Sequence, residues 1–287
     1  MAKVAIVTDS TADLTPAQAA AAGVRVVPLY LRFGEEEFQA GVDITTEGFW
    51  ERLVAPGAPF PTTAQPTPAT FADAFAACFS DGYDAVVCLL ISSKLSGTFQ
   101  SASVAAQGMP GREIHIVDSQ TTTAALAAVV LVAAEAAATG ASGDDVEVTV
   151  RRVLDRTEIY FAVDTLEYLK KGGRLSAARA AIGTILSVKP IITIRDGEVL
   201  VAEQQRTRGK ARERVVELIA AGPADRLAVL ATPASTEEEV AAFRDRLVSA
   251  IPGGVDPSRV TVGLVGATTG PHLGPGVLGA AVVRPGA

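Results

Sequence analysis

The first 140 residues alternate short apolar runs with helices that carry their own start and stop signals. This alternation restricts the fold more than any other feature of the chain. Val4 to Val7 reads as a strand. Thr15 then offers an N-cap hydroxyl, Pro16 suits the first helical position, and Gly23 ends the helix. Arg25 to Pro28 reads as the next strand. Thr67-Pro68 repeats the cap-then-proline signal ahead of Phe71, Phe75, Cys78 and Phe79, which share one helix face, and Gly82 closes that helix. Strands are expected at Ala85–Leu90 and Ile114–Val117. Helices are expected at Thr98–Gln107, stopped by Gly108, and at the alanine-rich stretch Thr123–Thr139. Strand–helix units repeated in this way build a mainly parallel sheet covered on both faces.

Beyond a pause at Gly140–Asp144 the pattern changes. Asp164–Lys171 reads as helical and ends at Gly172-Gly173, with a further helix expected from near Ser176. Asp196-Gly197 between Pro190–Ile194 and Val199–Gln204 is a strong hairpin signal. Ser235, with Glu238 three residues on, reads as the cap of a helix carrying Val240, Phe243, Leu247 and Ile251 to a core. Arg259–Val265 reads as a strand that runs into a glycine- and proline-rich loop, Gly266–Gly276. The expected fold class is α/β in two domains. Residues 1–158 form an N-terminal domain with a mainly parallel sheet and flanking helices, and residues 159–287 form an α+β domain. Exchange of segments between the two is left open.

Composition narrows the function. A hydrophobic fraction of 48% with mean hydropathy +0.30 provides apolar volume for a core and for a lined cavity. A formal charge of −7, a pI near 5.0 and 5% aromatics argue against a nucleic-acid partner. Cys78 and Cys88 are the only cysteines and lack metal-binding spacing, so both read as packing residues in a reducing compartment. Met1–Ser10 is too short for a signal-peptide core. The longest apolar run, Ala124–Ala134, stops at Glu135 and cannot span a bilayer. A cytoplasmic protein without stable membrane insertion is expected.

Ile91-Ser92-Ser93-Lys94-Leu95-Ser96-Gly97-Thr98 places hydroxyls and a glycine where a strand hands over to a helix. In an open parallel sheet that edge binds ligands, and the free N–H groups of a helix start attract negative charge. Thr62-Thr63-Ala64-Gln65-Pro66-Thr67 reads as a second such helix start. A carboxylate held between the two would accept several hydrogen bonds and face two favourable dipoles. Ser and Thr are also the standard N-cap residues, so both clusters have a plain structural reading.

Four segments together look like the DegV family. They are Val7–Leu14 (Val-Thr-Asp-Ser-Thr-Ala-Asp-Leu), Ser92–Thr98, Leu166–Ser176 (Leu-Glu-Tyr-Leu-Lys-Lys-Gly-Gly-Arg-Leu-Ser) and Gly270–Gly276 (Gly-Pro-His-Leu-Gly-Pro-Gly). They occur in the family's order and span essentially the whole chain. The resemblance implies a two-domain, non-catalytic fatty-acid-binding protein. Such a protein presents its acyl chain to a separate fatty acid kinase, whose acyl phosphate product feeds phospholipid synthesis. It implies a long-chain fatty acid as bound ligand and no metal or nucleotide cofactor. Carried over, the head-group site falls on Thr63, on the Ser93/Ser96 pair with Gly97 and Thr98, and on His272. Ser96 is favoured over Ser93 because Gly97 and Thr98 beside it supply helix-start N–H groups. Ala64 stands where the family usually has serine, and Thr67 replaces another. Asp118-Ser119 matches an acidic–serine pair, but Gln120–Ala125 lacks the glycines expected after it. Arg206 corresponds to an arginine that docks the kinase.

Other readings of these residues stand beside this one. His272 among glycines and prolines reads as a surface-loop histidine, and His115 in an alternating strand as structural. Arg174 either clamps the fold by pairing with a carboxylate or borders the ligand entrance. Arg206 and Arg208 also read as a solvated helix start. Phe33, Phe71, Phe75, Leu95, Ile182, Ile185 and Ile192 are candidates for an apolar tube or for core. Asp9 and Asp13 fit a phosphoryl or sugar-phosphate enzyme of similar fold, although no GxxxxGK[ST] or HExxH occurs. A lipid-sensing regulatory protein is a third class.

Overall fold

The computed structural model describes residues 2–175 and 188–286. The helix expected from near Ser176, and Ile182 and Ile185, lie outside them. Strands β1 (Val4–Asp9), β2 (Val24–Val27), β6 (Ala85–Leu90) and β7 (Glu113–Asp118) form a parallel sheet in the order β2-β1-β6-β7. Every residue of β1 and β6 is buried, as their near-continuous apolar sequences require of central strands covered on both faces.

A second sheet contains β8 (Thr157–Ala162), β9 (Lys189–Arg195), β10 (Glu198–Gln205), β11 (Arg226–Ala231), β12 (Val260–Leu264) and β13 (Leu278–Val283). Its order is β10-β9-β8-β13-β11-β12, with only β11 and β12 parallel. The β9–β10 turn is the expected one: Asp196 and Gly197 both hold left-handed φ, at 52° and 77°. A small antiparallel sheet, β4-β3-β5, is built from β3 (Tyr30–Phe33), β4 (Glu36–Gln39) and β5 (Thr62–Ala64).

The helix Thr123–Ala138 is apolar nearly all round and buried at ten of its positions, as a helix without a polar face must be. One core cluster joins it to Ile6 and Val87 of the parallel sheet and to Ile159, Ala228 and Leu230 of the mixed sheet.

Several local expectations shift. Thr62–Ala64 is strand β5, and the following helix begins only at Pro68 with Thr67 as its cap. The cap of the helix Glu237–Ala250 is Thr236 with Glu239, one residue beyond the expected pair. Ser235 instead accepts a bond from Arg212 at 3.0 Å. Only Glu167–Lys171 of the expected helix from Asp164 is helical, because the Asp164 carboxylate is held by Lys189 and Arg208. The Gly266–Gly276 loop contains a short helix, Gly270–Leu273.

His115 is structural in the sense expected. Its Nδ1 lies 2.6 Å from Glu147 and its Nε2 3.1 Å from Glu113. Burial lowers its pKa, but the two carboxylates outweigh burial and raise it above the ordinary 6.5. The stability this gives is complete below pH 6.5 and lost as pH rises through the raised value. His115→Gln is therefore expected to lower the unfolding temperature by on the order of 2 °C at pH 5.5 and by less at pH 8.5. Thermal unfolding at the two pH values checks this.

Candidate functional site

The parallel sheet reverses its order between β1 and β6, and ligands bind in the crevice outside the carboxyl ends of strands at such a switch point. The segments after all four strands meet there around one cavity: Thr11 after β1, Leu29 after β2, Ile91, Leu95 and Ser96 after β6, and Thr122-Thr123 after β7. Phe161, Ile194 and Val199, on β8, β9 and β10, close it from the mixed sheet. The cavity has a volume of about 70 Å³ and is partly open to solvent.

Buried carboxylates hold these segments in place. Asp9 accepts the Thr11 N–H at 2.8 Å, the Thr11 hydroxyl at 2.5 Å and the Ile91 N–H at 2.9 Å, tying the end of β1 to the end of β6. The Ser92 hydroxyl donates to the Gly197 carbonyl at 2.8 Å, linking the Ser92–Ser96 turn to the β9–β10 hairpin. Asp13 accepts the Thr269 hydroxyl at 3.1 Å. A Cβ on Gly266 would lie 2.4 Å from the Asp13 Oδ1, so a glycine is needed for that approach. Burial raises the pKa of both aspartates, against the bonds they accept. The two side chains are committed to organising loops, the plain alternative to an acid–base role.

Thr63, Ser96 and His272 come together on the cavity wall from distant parts of the sequence. Thr63 Oγ1 is 3.1 Å from His272 Nε2. Ser96 Oγ is 2.8 Å from Thr98 Oγ1. The helix Thr98–Gln107 starts from Gly97, which has no capping side chain, and its first N–H, that of Thr98, points to Ser96 Oγ at 3.4 Å. Ser93, Gly97 and Thr98 do not line the cavity. Ser93 donates to Asp118 at 2.6 Å and, with Gly97, faces an adjoining groove, while Thr98 is buried behind Ser96. Ala64 lines the cavity, so the hydroxyl missing there is missing from its wall.

His272 is not in an exposed loop. Trp50 donates to the Val265 carbonyl and Asp13 holds Thr269, and together they fold this segment inward. Burial, and next the charge of Arg174, lower the His272 pKa to about 4, against a backbone hydrogen bond at Gly172. The ring is therefore neutral at neutral pH. Because its folded pKa lies below 6.5, the stability tied to its neutral form is complete above pH 6.5 and lost as pH falls toward 4.

Arg174 is the formally charged residue among those lining the cavity. Its Nε donates to the Leu95 carbonyl at 3.1 Å and its Nη1 to the Gly172 carbonyl at 2.8 Å. Desolvation lowers its pKa. Among the described residues it has no carboxylate partner within salt-bridge distance, which favours the entrance reading over the clamp. Its sequence signal was its place directly after Gly172-Gly173, where a helix ends and the chain turns.

Of the described candidates for an apolar tube, only Leu95 lines the cavity. Phe33, Phe71, Phe75 and Ile192 are core residues. The observed apolar walls are Leu29, Ile91, Phe161, Leu169, Ile194 and Val199, which sequence spacing did not separate from core. Among the described residues, no cluster of three or more His, Cys, Asp or Glu is arranged to hold a metal ion, and no helix is long and apolar enough to cross a membrane.

A family model described as "Uncharacterised protein, DegV family" matches residues 3–284. A DegV domain-containing protein of Halalkalibacterium halodurans is 36% identical over 279 residues, covering 97% of this chain and 98% of that one. Among solved structures, a fatty-acid-binding DegV family protein from Thermus thermophilus superposes with TM-score 0.88 at 35% identity, covering 99% of this chain and all of that one. A stearic-acid-binding protein from Eubacterium ventriosum superposes with TM-score 0.86 at 28% identity, covering 99% and 98%.

Proposed function

Because the chain belongs to the DegV family, we propose that it binds a long-chain fatty acid, with the carboxylate at Thr63, Ser96, His272 and Arg174. The observation that carries this reading is a cationic guanidinium without a carboxylate partner among the described residues, lining an apolar cavity with three hydrogen-bonding side chains. A carboxylate there gains charge-assisted bonds, which run about 1.5–3 kcal/mol. The acyl chain gains about 0.8 kcal/mol per methylene buried, so roughly a dozen methylenes give on the order of 10 kcal/mol before ordering costs. The fatty-acid ligands of the structural relatives support the same ligand class.

In this reading the protein is a non-catalytic carrier that presents the carboxyl group to a separate fatty acid kinase. Arg206 is exposed and has no ion pair among the described residues, whereas Arg208 is engaged by Asp164. Arg206 is thus free for a partner contact, and Arg206→Glu is expected to slow kinase-dependent acyl phosphate formation mainly at low salt, where screening is weakest, while leaving fatty-acid affinity unchanged. A division of the chain near residue 158, ahead of most of the mixed sheet, belongs to the same proposal.

Equilibrium binding of hexadecanoic acid to the delipidated full chain tests the ligand. His272 is neutral at and above neutral pH, so the affinity is expected to vary by less than about twofold between pH 7.5 and 8.5. Saturable binding with that flat profile supports the reading. A protein that binds no hexadecanoic acid at either pH contradicts it.

A further inference from the structure

Among the described residues, five of the longer helices begin away from the cavity and are capped by hydroxyls: Thr45, Thr67, Ser142, Thr207 and Thr236. Two helices of ten residues or more have no side-chain cap, Thr98–Gln107 and Thr123–Ala138. The second begins on the cavity wall with Thr122 and Thr123, and the first begins just behind it, two residues after Ser96. The first serves the head group. The second has no role in the function proposed so far.

At that second helix start the N-cap residue, Thr122, turns its hydroxyl to the Thr11 carbonyl at 3.4 Å. Thr123 Oγ1 and Thr268 Oγ1 are buried, with their residues 1% and 3% exposed, and neither has a hydrogen-bond partner among the described residues. Both residues line the cavity. Thr123 holds φ 53°, a left-handed conformation unusual for a β-branched residue. A buried hydroxyl without a partner costs about 1–3 kcal/mol, so two of them beside an uncapped helix start make a site in want of an oxygen.

The surrounding charge decides which oxygen. Arg174 stands beside His272. Asp13 accepts from Thr269, the neighbour of Thr268, and Asp9 accepts from Thr11 on the same wall. An anionic group belongs at the Arg174 end, and the aspartate end disfavours a second anion. The spacing follows from the backbone. Thr268 and His272 lie four residues apart on the turn that enters the helix Gly270–Leu273, where Gly270 N–H bonds to the Gly266 carbonyl at 2.8 Å and His272 N–H to the Thr269 carbonyl at 3.0 Å, a separation within the reach of a few carbons from a carboxylate.

We infer that Thr123, Thr268 and the start of the helix Thr123–Ala138 form a second polar subsite that takes an uncharged oxygen, a hydroxyl or oxo group, close to the carboxyl end of the acyl chain. The inference rests on the fatty-acid reading and narrows its ligand class. A threonine hydroxyl donates or accepts and a helix N–H only donates, so a ligand hydroxyl or carbonyl satisfies both. An unsubstituted methylene at that position leaves them unpaired.

The test compares hexadecanoic acid with 3-hydroxyhexadecanoic acid on the delipidated full chain by titration calorimetry. The hydroxy acid is expected to bind about tenfold more tightly. Thr268→Val should bring the ratio near one with the affinity for hexadecanoic acid held within about twofold, and Thr268→Ser should keep the preference. Thr123→Val is the second probe if the first variant does not fold. Equal affinities of the two acids in the unaltered protein, or a preference untouched by both valine variants, overturns the subsite while leaving the carrier reading intact. Failure of both acids to bind overturns the carrier reading and the subsite with it.

Discussion

Arg174→Gln is expected to weaken binding of hexadecanoic acid by about a hundredfold, the ~3 kcal/mol lost when a partly desolvated charge pair loses one member. The unfolding temperature of the ligand-free protein should change by no more than about 3 °C, since among the described residues the guanidinium makes two bonds, both to backbone carbonyls, those of Leu95 and Gly172. Arg174→Lys separates charge from geometry. It keeps the cation but loses the planar fork that holds two carbonyls while facing a third group, and an intermediate loss of roughly tenfold is expected. Ligand binding and thermal unfolding measured on the same samples check both variants. A large loss of ligand-free stability in Arg174→Gln, with affinity little changed, would make Arg174 the clamp that the sequence also allowed.

The second large effect is expected from a glycine. Gly172 has φ −73° and ψ −4°, a helical conformation open to any residue. A Cβ there would nevertheless lie 2.1 Å from His272 Nδ1. Gly172→Ala must move the ring and break its approach to Thr63, so binding should fall by at least about tenfold with little backbone penalty. If the cause is the displaced ring, adding His272→Ala to Gly172→Ala should cost almost nothing further. Such non-additivity is the signature of two changes acting through one group. Additive losses would mean that the glycine acts elsewhere.

The elements that could be read from sequence are those with local signals. The capped helices at Thr15-Pro16 and Thr67-Pro68 and the hairpin at Asp196-Gly197 carry turn and cap chemistry within a few residues, and they form where expected. The parallel sheet was legible for a different reason, since β1 and β6 are buried on both faces and must be apolar throughout. The small sheet was not, because β4 is half exposed and carries Glu36 and Glu37, so no alternation marks it. The one-residue shift from Ser235 to Thr236 arose because two hydroxyls each precede a glutamate by three residues, and only packing chooses between them.

The site divided in the same way. Thr63, Ser96 and His272 were reached through the family resemblance, and the fold places them on one wall although 209 residues separate Thr63 from His272. No spacing rule carries that contact. His272 looked exposed because glycine and proline usually mean loop. Here the glycines allow close approach instead, with Gly266 against Asp13 and Gly270 against Phe49. Thr123 and Thr268 had no signal at all, since an unpaired hydroxyl is a property of its surroundings.

The measurement that bears most directly on the carrier reading is native mass spectrometry of the freshly purified full chain, followed by extraction and identification of whatever is released. The reading predicts one long-chain fatty acid per chain, displaced by added hexadecanoic acid and lost in Arg174→Gln. A chain that carries no lipid, and takes up none when offered, would contradict it.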